Sequence, residues 1–171
     1  TRSRGLGDVY KRQLLISSNK NVSISKELNK KLKEVTNLIL AEEKMDEAII
    51  NLRLVDNKKM QKLNMKFRNK DKTTNVLSFT NDDISLKQTN NIGDIAISVE
   101  YVLNESEDIG KNFDEHMIHM LAHGIYHILG HDHQVDSMAE VMESKEISTL
   151  KKLNINNCLL YTSDAADEFS C

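Results

Sequence analysis

Three histidines in the run HGIYHILGHDH, His123, His127 and His133, follow the spacing His-x3-His-x2-Gly-x2-His, a pattern suited to holding a metal ion. On an α-helix, residues four apart lie about 40° apart around the axis and about 6 Å along it, so the first two imidazoles reach one ion. A third ligand on a straight helix would be carried roughly 9–10 Å past His127, so the chain has to turn before it. Gly130 is placed for that turn, because glycine enters the left-handed conformation that ends helices at little cost. His133 then completes a three-histidine face. Three neutral nitrogens around zinc leave the fourth tetrahedral position open to water, as in catalytic rather than structural sites. A histidine pair at helical spacing also arises by chance in a stretch this rich in the residue; the glycine break and the third histidine set this run apart. His131 competes with His133 for the third place, since a short turn presents either ring. His119 and His116, one and two turns upstream on the same stripe, read as supporting or packing residues.

What the pattern lacks narrows the chemistry. Zinc proteases of the His-Glu-x-x-His type carry a glutamate directly after the first histidine to activate water. Here that position is Gly124, although the spacing otherwise matches the longer protease motif. Peptide hydrolysis, whose amine leaving group needs proton delivery, is disfavoured. Attack on a phosphodiester depends less on that glutamate, because the ion lowers the pKa of water to about 7 and clamps a phosphoryl oxygen. No general base is evident. Asp132 either accepts an imidazole N–H or caps the turn, and Asp94 either supports a histidine or serves as a turn residue at a strand start.

A second constellation favours phosphate. Residues 58–72 carry Lys58, Lys59, Lys62, Lys66, Arg68, Lys70 and Lys72 against one acid, Asp71, in a chain whose net charge is −3. Counterion release from a nucleic acid backbone would reward such a cluster, although lysines along a helix are commonly just its solvated face. Arg68 differs from them. It sits where the helical pattern stops, and its planar fork suits bidentate recognition of phosphate.

The stretches FRNKDKTTNVLSF (67–79), GDIAIS (93–98) and HGIYHILGHDH (123–133) resemble, in order, the three signature stretches of the YbeY family of bacterial ribosomal RNA maturation endoribonucleases, with the resemblance covering roughly residues 13–156. It implies a metal-dependent, single-strand-specific endoribonuclease acting in 16S ribosomal RNA 3′-end maturation and ribosome quality control. It also implies one Zn2+ ion held by His123, His127 and His133, with Arg68 as the functionally important arginine. The implied partners are single-stranded or ribosomal RNA and small-subunit ribosomal proteins. Three positions depart from the family pattern: Thr73 stands where proline is usual, Tyr126 where leucine is usual and His131 where tyrosine is usual. None removes a ligand. Two other readings remain: a non-catalytic, zinc-containing ribosome-assembly factor that binds through the basic segment, and a zinc protease in which another acid replaces the missing glutamate.

Composition fits an intracellular enzyme. A chain of 171 residues is expected to form one domain and to bury around two thirds of its unfolded surface. No apolar run approaches the ~20 residues that span a bilayer and no signal peptide is evident, so a cytoplasmic protein without membrane contact is expected. Both cysteines, Cys158 and Cys171, lie near the end of the chain, and no disulfide framework is implied. The segments TRSRGLGDVYKRQ and CLLYTSDAADEFSC share no amphipathic period with their neighbours and resemble translated sequencing-adapter sequence. The functional domain is therefore expected over residues 13–157, with 1–12 and 158–171 as non-native flanks.

The elements that must position the site alternate between helix and strand periods. Residues 25–43 read as an amphipathic helix capped by Ser25, residues 48–55 as a strand, and residues 56–66 as a helix, so that Arg68 opens the following loop. Residues 74–79 and 92–98 read as short strands joined by a loop or hairpin, and 99–107 as a short helix. Asn112, with Glu115 three residues on, suggests a capping box that opens a helix reaching residue 129. That helix is apolar around most of its circumference and should be central and buried. A last helix, over 137–153, carries Met138, Val141, Met142, Ile147 and Leu150 as a packing face. The expected fold is α+β: a small mixed sheet of about four strands, surrounding helices, and a central buried metal-binding helix beneath a cleft.

Overall fold

The computed structural model describes residues 12–81, 89–132 and 134–155. Its elements run β1 (Gln13–Ser18), α1 (Lys26–Glu42), β2 (Ile49–Val55), α2 (Asn57–Arg68), β3 (Val76–Thr80), β4 (Asn91–Ser98), α3 (Val99–Asp108), α4 (Phe113–Ile128) and α5 (Asp136–Lys152). The strands form one sheet in the order β1-β2-β4-β3. β1, β2 and β4 are parallel, and β3 pairs antiparallel with the outer side of β4. This is the expected α+β arrangement with a mixed four-stranded sheet. β1 is the strand that periodicity left unassigned: of its six residues only Leu14 is buried, so no apolar alternation marks it.

Alternation along the strands divides the interior in two. Ile50, Leu52 and Leu54 of β2 and Ile95 and Ile97 of β4 join the main core with α1, α4 and the buried parts of α3 and α5. Val55, Ala96 and Leu77 point to the opposite face, where Met60 of α2 covers them. Val55 thus breaks the β2 pattern because it serves the second cluster. The caps fall where the sequence places them. Ser25 accepts the Leu28 N–H at 3.0 Å, and Asn112 accepts the Glu115 N–H at 3.1 Å.

Two helices differ from expectation. α2 runs through Arg68 and ends at Asn69, which adopts the left-handed conformation at φ 57°. Arg68 is therefore the last helical residue rather than the first of the loop. α5 is rotated: Met138 and Val141 are exposed, while Met142, Glu146, Thr149 and Leu150 are buried. The inner stripe thus carries a carboxylate, Glu146. The expected β3–β4 loop lies mostly at 82–88, outside the described residues, as do 1–11 and 156–171. Arg12 alone of the flanks is described, and it reaches Asn37 Oδ1 at 2.9 Å and Asp46 Oδ1 at 2.8 Å. No helix among the described residues is long and apolar enough to cross a membrane.

Candidate active site

α4 brings His123 and His127 to one wall of a cavity of about 520 Å3. The helix lies against β3 and β4, and Gly124 is one of the places where the two pack closely. A Cβ there would stand 3.0 Å from Ser78 Oγ and 3.1 Å from Ile95 Cδ1. Any side chain at the protease glutamate's position would press on Ser78 and Ile95 of the sheet. The helix ends as the sequence predicts: Gly130 has φ 96°, its N–H bonds the His127 carbonyl at 3.0 Å, and the His131 N–H bonds the Tyr126 carbonyl at 3.0 Å. That pair of bonds turns the chain back toward the cavity.

The two histidine tips converge, with His123 Nε2 and His127 Nε2 standing 3.1 Å apart. Nitrogens each about 2.0–2.1 Å from one tetrahedral zinc would be roughly 3.3–3.4 Å apart, so the pair is set for a shared ion with almost no movement. His123 Nδ1 lies 3.2 Å from Glu146 Oε2, which leaves Nε2 as the lone-pair nitrogen of that ring. Among the described residues no three His, Cys, Asp or Glu side chains gather at metal distance. The third predicted ligand, His133, lies outside the described residues, but its neighbours Asp132 and Gln134 both line the cavity. His131 packs edge-on against the Tyr126 ring, 5.6 Å between centroids, and Tyr126 in turn bonds Thr149 of α5 at 2.6 Å. Two of the three family departures are thus in contact with each other.

Arg68 lines the same cavity. Its guanidinium donates to the Ser78 carbonyl at 2.8 Å and lies 5.1 Å from the centre of the Phe79 ring. One edge of the fork is anchored, and the residue shares the cavity with the histidines from the end of α2. The loop that follows is pinned to α2: Asn64 Nδ2 donates to the Lys72 carbonyl at 2.8 Å, and Gln61 reaches Asp71 at 2.9 Å. Thr73, the third departure, lies 3.2 Å through its hydroxyl from Asn57 Oδ1. Lys70 and Lys72 join Arg68 along the cavity, whereas Lys58, Lys59, Lys62 and Lys66 do not line it. Only part of the basic segment therefore belongs to the site.

Sequence reasoning named Asp94 and Asp132 but missed Glu146 and Glu105. Asp94 bonds Asn51 Nδ2 at 2.9 Å on the sheet, and Asp132 accepts the Gln134 N–H at 3.2 Å, as a turn cap does. The acid beside His123 is Glu146 of α5, whose second oxygen lies 3.1 Å from His119 Nε2. Burial would raise the Glu146 carboxyl, but the imidazoles of His123 and His119 outweigh it and bring the pKa to about 2. Burial pushes His119 the other way, down to about 4, so that ring is neutral near pH 7. Upstream, His116 Nε2 lies 2.7 Å from Glu105 Oε1, and Glu105, also held by Asn75 Nδ2 at 3.2 Å, lines the cavity. A signal for Glu146 was present: positions 142, 146, 149 and 150 form one helical stripe, and a charged residue on an inward stripe needs a partner.

The family profile described as Endoribonuclease YbeY matches residues 15–154. The chain belongs to the YbeY family. A relative from Francisella tularensis subsp. mediasiatica, named Endoribonuclease YbeY, is 38% identical over 134 residues, covering 74% of this chain and 81% of the relative. One of the same name from Malacoplasma penetrans is 37% identical over 121 residues, covering 70% and 81%. The solution structure of TM1509 from Thermotoga maritima shares the fold at a TM-score of 0.57 and 22% identity, over 82% of this chain and 91% of that one. The YbeY profile begins within β1 and runs through α5.

Proposed function

We propose that this YbeY-family chain is a metal-dependent endoribonuclease that cleaves single-stranded RNA in ribosomal RNA maturation, including the 3′ end of 16S ribosomal RNA. His123, His127 and His133 are the proposed ligands of one zinc ion. The relatives' shared name supports the reaction, and the observation that carries the site is the pair of Nε2 atoms 3.1 Å apart in a cavity shared with Arg68. Zinc, when bound, supplies Lewis acidity toward a phosphoryl oxygen and a water of lowered pKa.

The chain's own groups do the rest. Arg68, tethered to Ser78, holds the scissile phosphate in a fixed place, which lowers the entropy cost of reaching the transition state. Lys70 and Lys72 neutralise neighbouring phosphates along the same cavity. Glu146 orients His123, and the close packing at Gly124 fixes the helix that carries both rings. A cavity of about 520 Å3 suits a nucleotide or two of one strand. The proposed setting is the cytoplasm, with small-subunit ribosomal proteins as partners.

The test is cleavage of a labelled single-stranded ribosomal RNA fragment by the zinc-loaded full chain, beside a folded His123→Ala/His127→Ala variant. Cleavage by the parent alone supports the nuclease. Equal cleavage by both identifies a contaminant, and RNA binding without cleavage in either favours the assembly factor; each of these two overturns the proposal.

A further inference from the structure

Behind the cavity, four side chains from three parts of the chain line up with alternating donor and acceptor atoms. Lys111 Nζ stands 3.2 Å from His119 Nδ1, His119 Nε2 stands 3.1 Å from Glu146 Oε1, and Glu146 Oε2 stands 3.2 Å from His123 Nδ1. All but His123 are buried, Lys111 being 9% exposed and Glu146 2%. The direction of these bonds follows from the first member. An ammonium has three donors and no acceptor, so His119 Nδ1 has to accept from it. The proton of the neutral His119 ring then sits on Nε2 and is given to Glu146. With one oxygen receiving from His119, the carboxylate turns the other to the Nδ1–H of His123. The His123 lone pair is left on Nε2, facing His127 Nε2.

We propose that Lys111 is a positioning residue for the metal site, setting the tautomer of His123 through His119 and Glu146. The inference rests on the proposed role of His123 as a ligand, but the hydrogen-bond polarity it invokes exists in the metal-free protein as well. The physical reason for so remote a control is that neutral imidazole has two tautomers of similar energy, and only one offers the cavity a lone pair. Without the ammonium, His119 is free to carry its proton on Nδ1. It would then turn a lone pair toward Glu146 Oε1 and loosen the carboxylate's hold on His123. The lysine also balances the buried carboxylate's charge at a distance, across a neutral ring.

The experiment is a long-range 1H–15N NMR spectrum of the metal-free full chain, which distinguishes the two tautomers of each histidine, recorded for the parent, Lys111→Met and Lys111→Arg. Zinc affinity of each is measured by competition with a chromophoric chelator. The parent is expected to show His119 protonated on Nε2 and His123 on Nδ1. Lys111→Met should mix the His119 tautomers, weaken the His123 preference and lower zinc affinity by about 10-fold, within the range seen when a group supporting a ligand is removed. Lys111→Arg, which keeps a donor, should recover most of both. A parent with His119 protonated on Nδ1, or a Lys111→Met variant with unchanged tautomers and unchanged affinity, overturns the proposal. If Lys111→Met does not fold, the parent's tautomers and the Lys111→Arg affinity decide it alone. A parent that binds no zinc overturns the proposed function instead, and its tautomer spectrum still decides the polarity of the relay.

Discussion

The two halves of α4 carry the same residue type in opposite circumstances. In the first half His116 and His119 are buried and each meets a carboxylate, Glu105 and Glu146. In the second, His123 and His127 line the cavity and turn their Nε2 atoms toward each other. All four lie on one stripe at helical spacing, so spacing alone does not separate them. What separates His119 from His123 is the ring nitrogen each turns to Glu146, Nε2 in His119 and Nδ1 in His123. An imidazole held through its reaching nitrogen is structural, whereas one held through Nδ1 with Nε2 at a cavity is set to ligate.

The comparison breaks most visibly by substitution. His123→Ala and His127→Ala should each reduce cleavage of single-stranded RNA below detection while leaving the thermal midpoint within a few degrees of the parent. His116→Ala should do the reverse, costing ~1–3 kcal/mol in a denaturant titration because Glu105 loses a buried partner, while zinc binding persists. Next in size is Arg68. Arg68→Ala should lower kcat/KM for RNA by about 10²-fold, the scale on which one fixed transition-state donor contributes, and Arg68→Lys should recover only part because a point charge lacks the fork. Equal activity in Arg68→Lys and the parent would reduce the arginine to a simple charge.

Installing the protease residue sharpens the contrast from another side. Gly124→Glu should destabilise the fold by ~3 kcal/mol or more, since its first side-chain atom already meets Ser78 and Ile95, and it should confer no cleavage of unfolded peptides. A stable variant with chelator-sensitive peptidase activity would restore the protease reading.

A further effect, on stability alone, is a dependence on acid. His119 has its pKa lowered from 6.5 to about 4 by burial, so below pH 6.5 the unfolded chain binds a proton that the folded one refuses. Its contribution to stability is complete above pH 6.5 and is lost as the pH falls from there to about 4. Glu146, lowered from 4.5 to about 2, extends the loss at still lower pH. Denaturant midpoints of the metal-free protein should fall over the upper window, and His119→Asn should flatten that limb without removing the lower one.

Much of this was legible in the chain. The glycine turn after α4, the caps at Ser25 and Asn112 and the alternation of β2 are local patterns, and local patterns determine them. The convergence of His123 and His127 followed from helical spacing for the same reason. Glu146 and Lys111 were not found, because their meeting with α4 depends on how α5 rotates and where the α3–α4 turn packs, and neither is written in a short window of sequence. β1 was missed because an edge strand with one buried side chain has no period to read. Arg68 was placed one element too late because Asn69, not a break in apolar spacing, ends α2.

The most direct test of the division within α4 is the zinc retained per chain after exhaustive dialysis, measured by elemental analysis for the parent, His116→Ala, His123→Ala and His127→Ala. About one ion in the parent and in His116→Ala, with almost none in the other two, is the predicted result for a site that needs the second pair alone. Equal zinc in all four proteins, or its loss from His116→Ala with retention in His123→Ala, would contradict it.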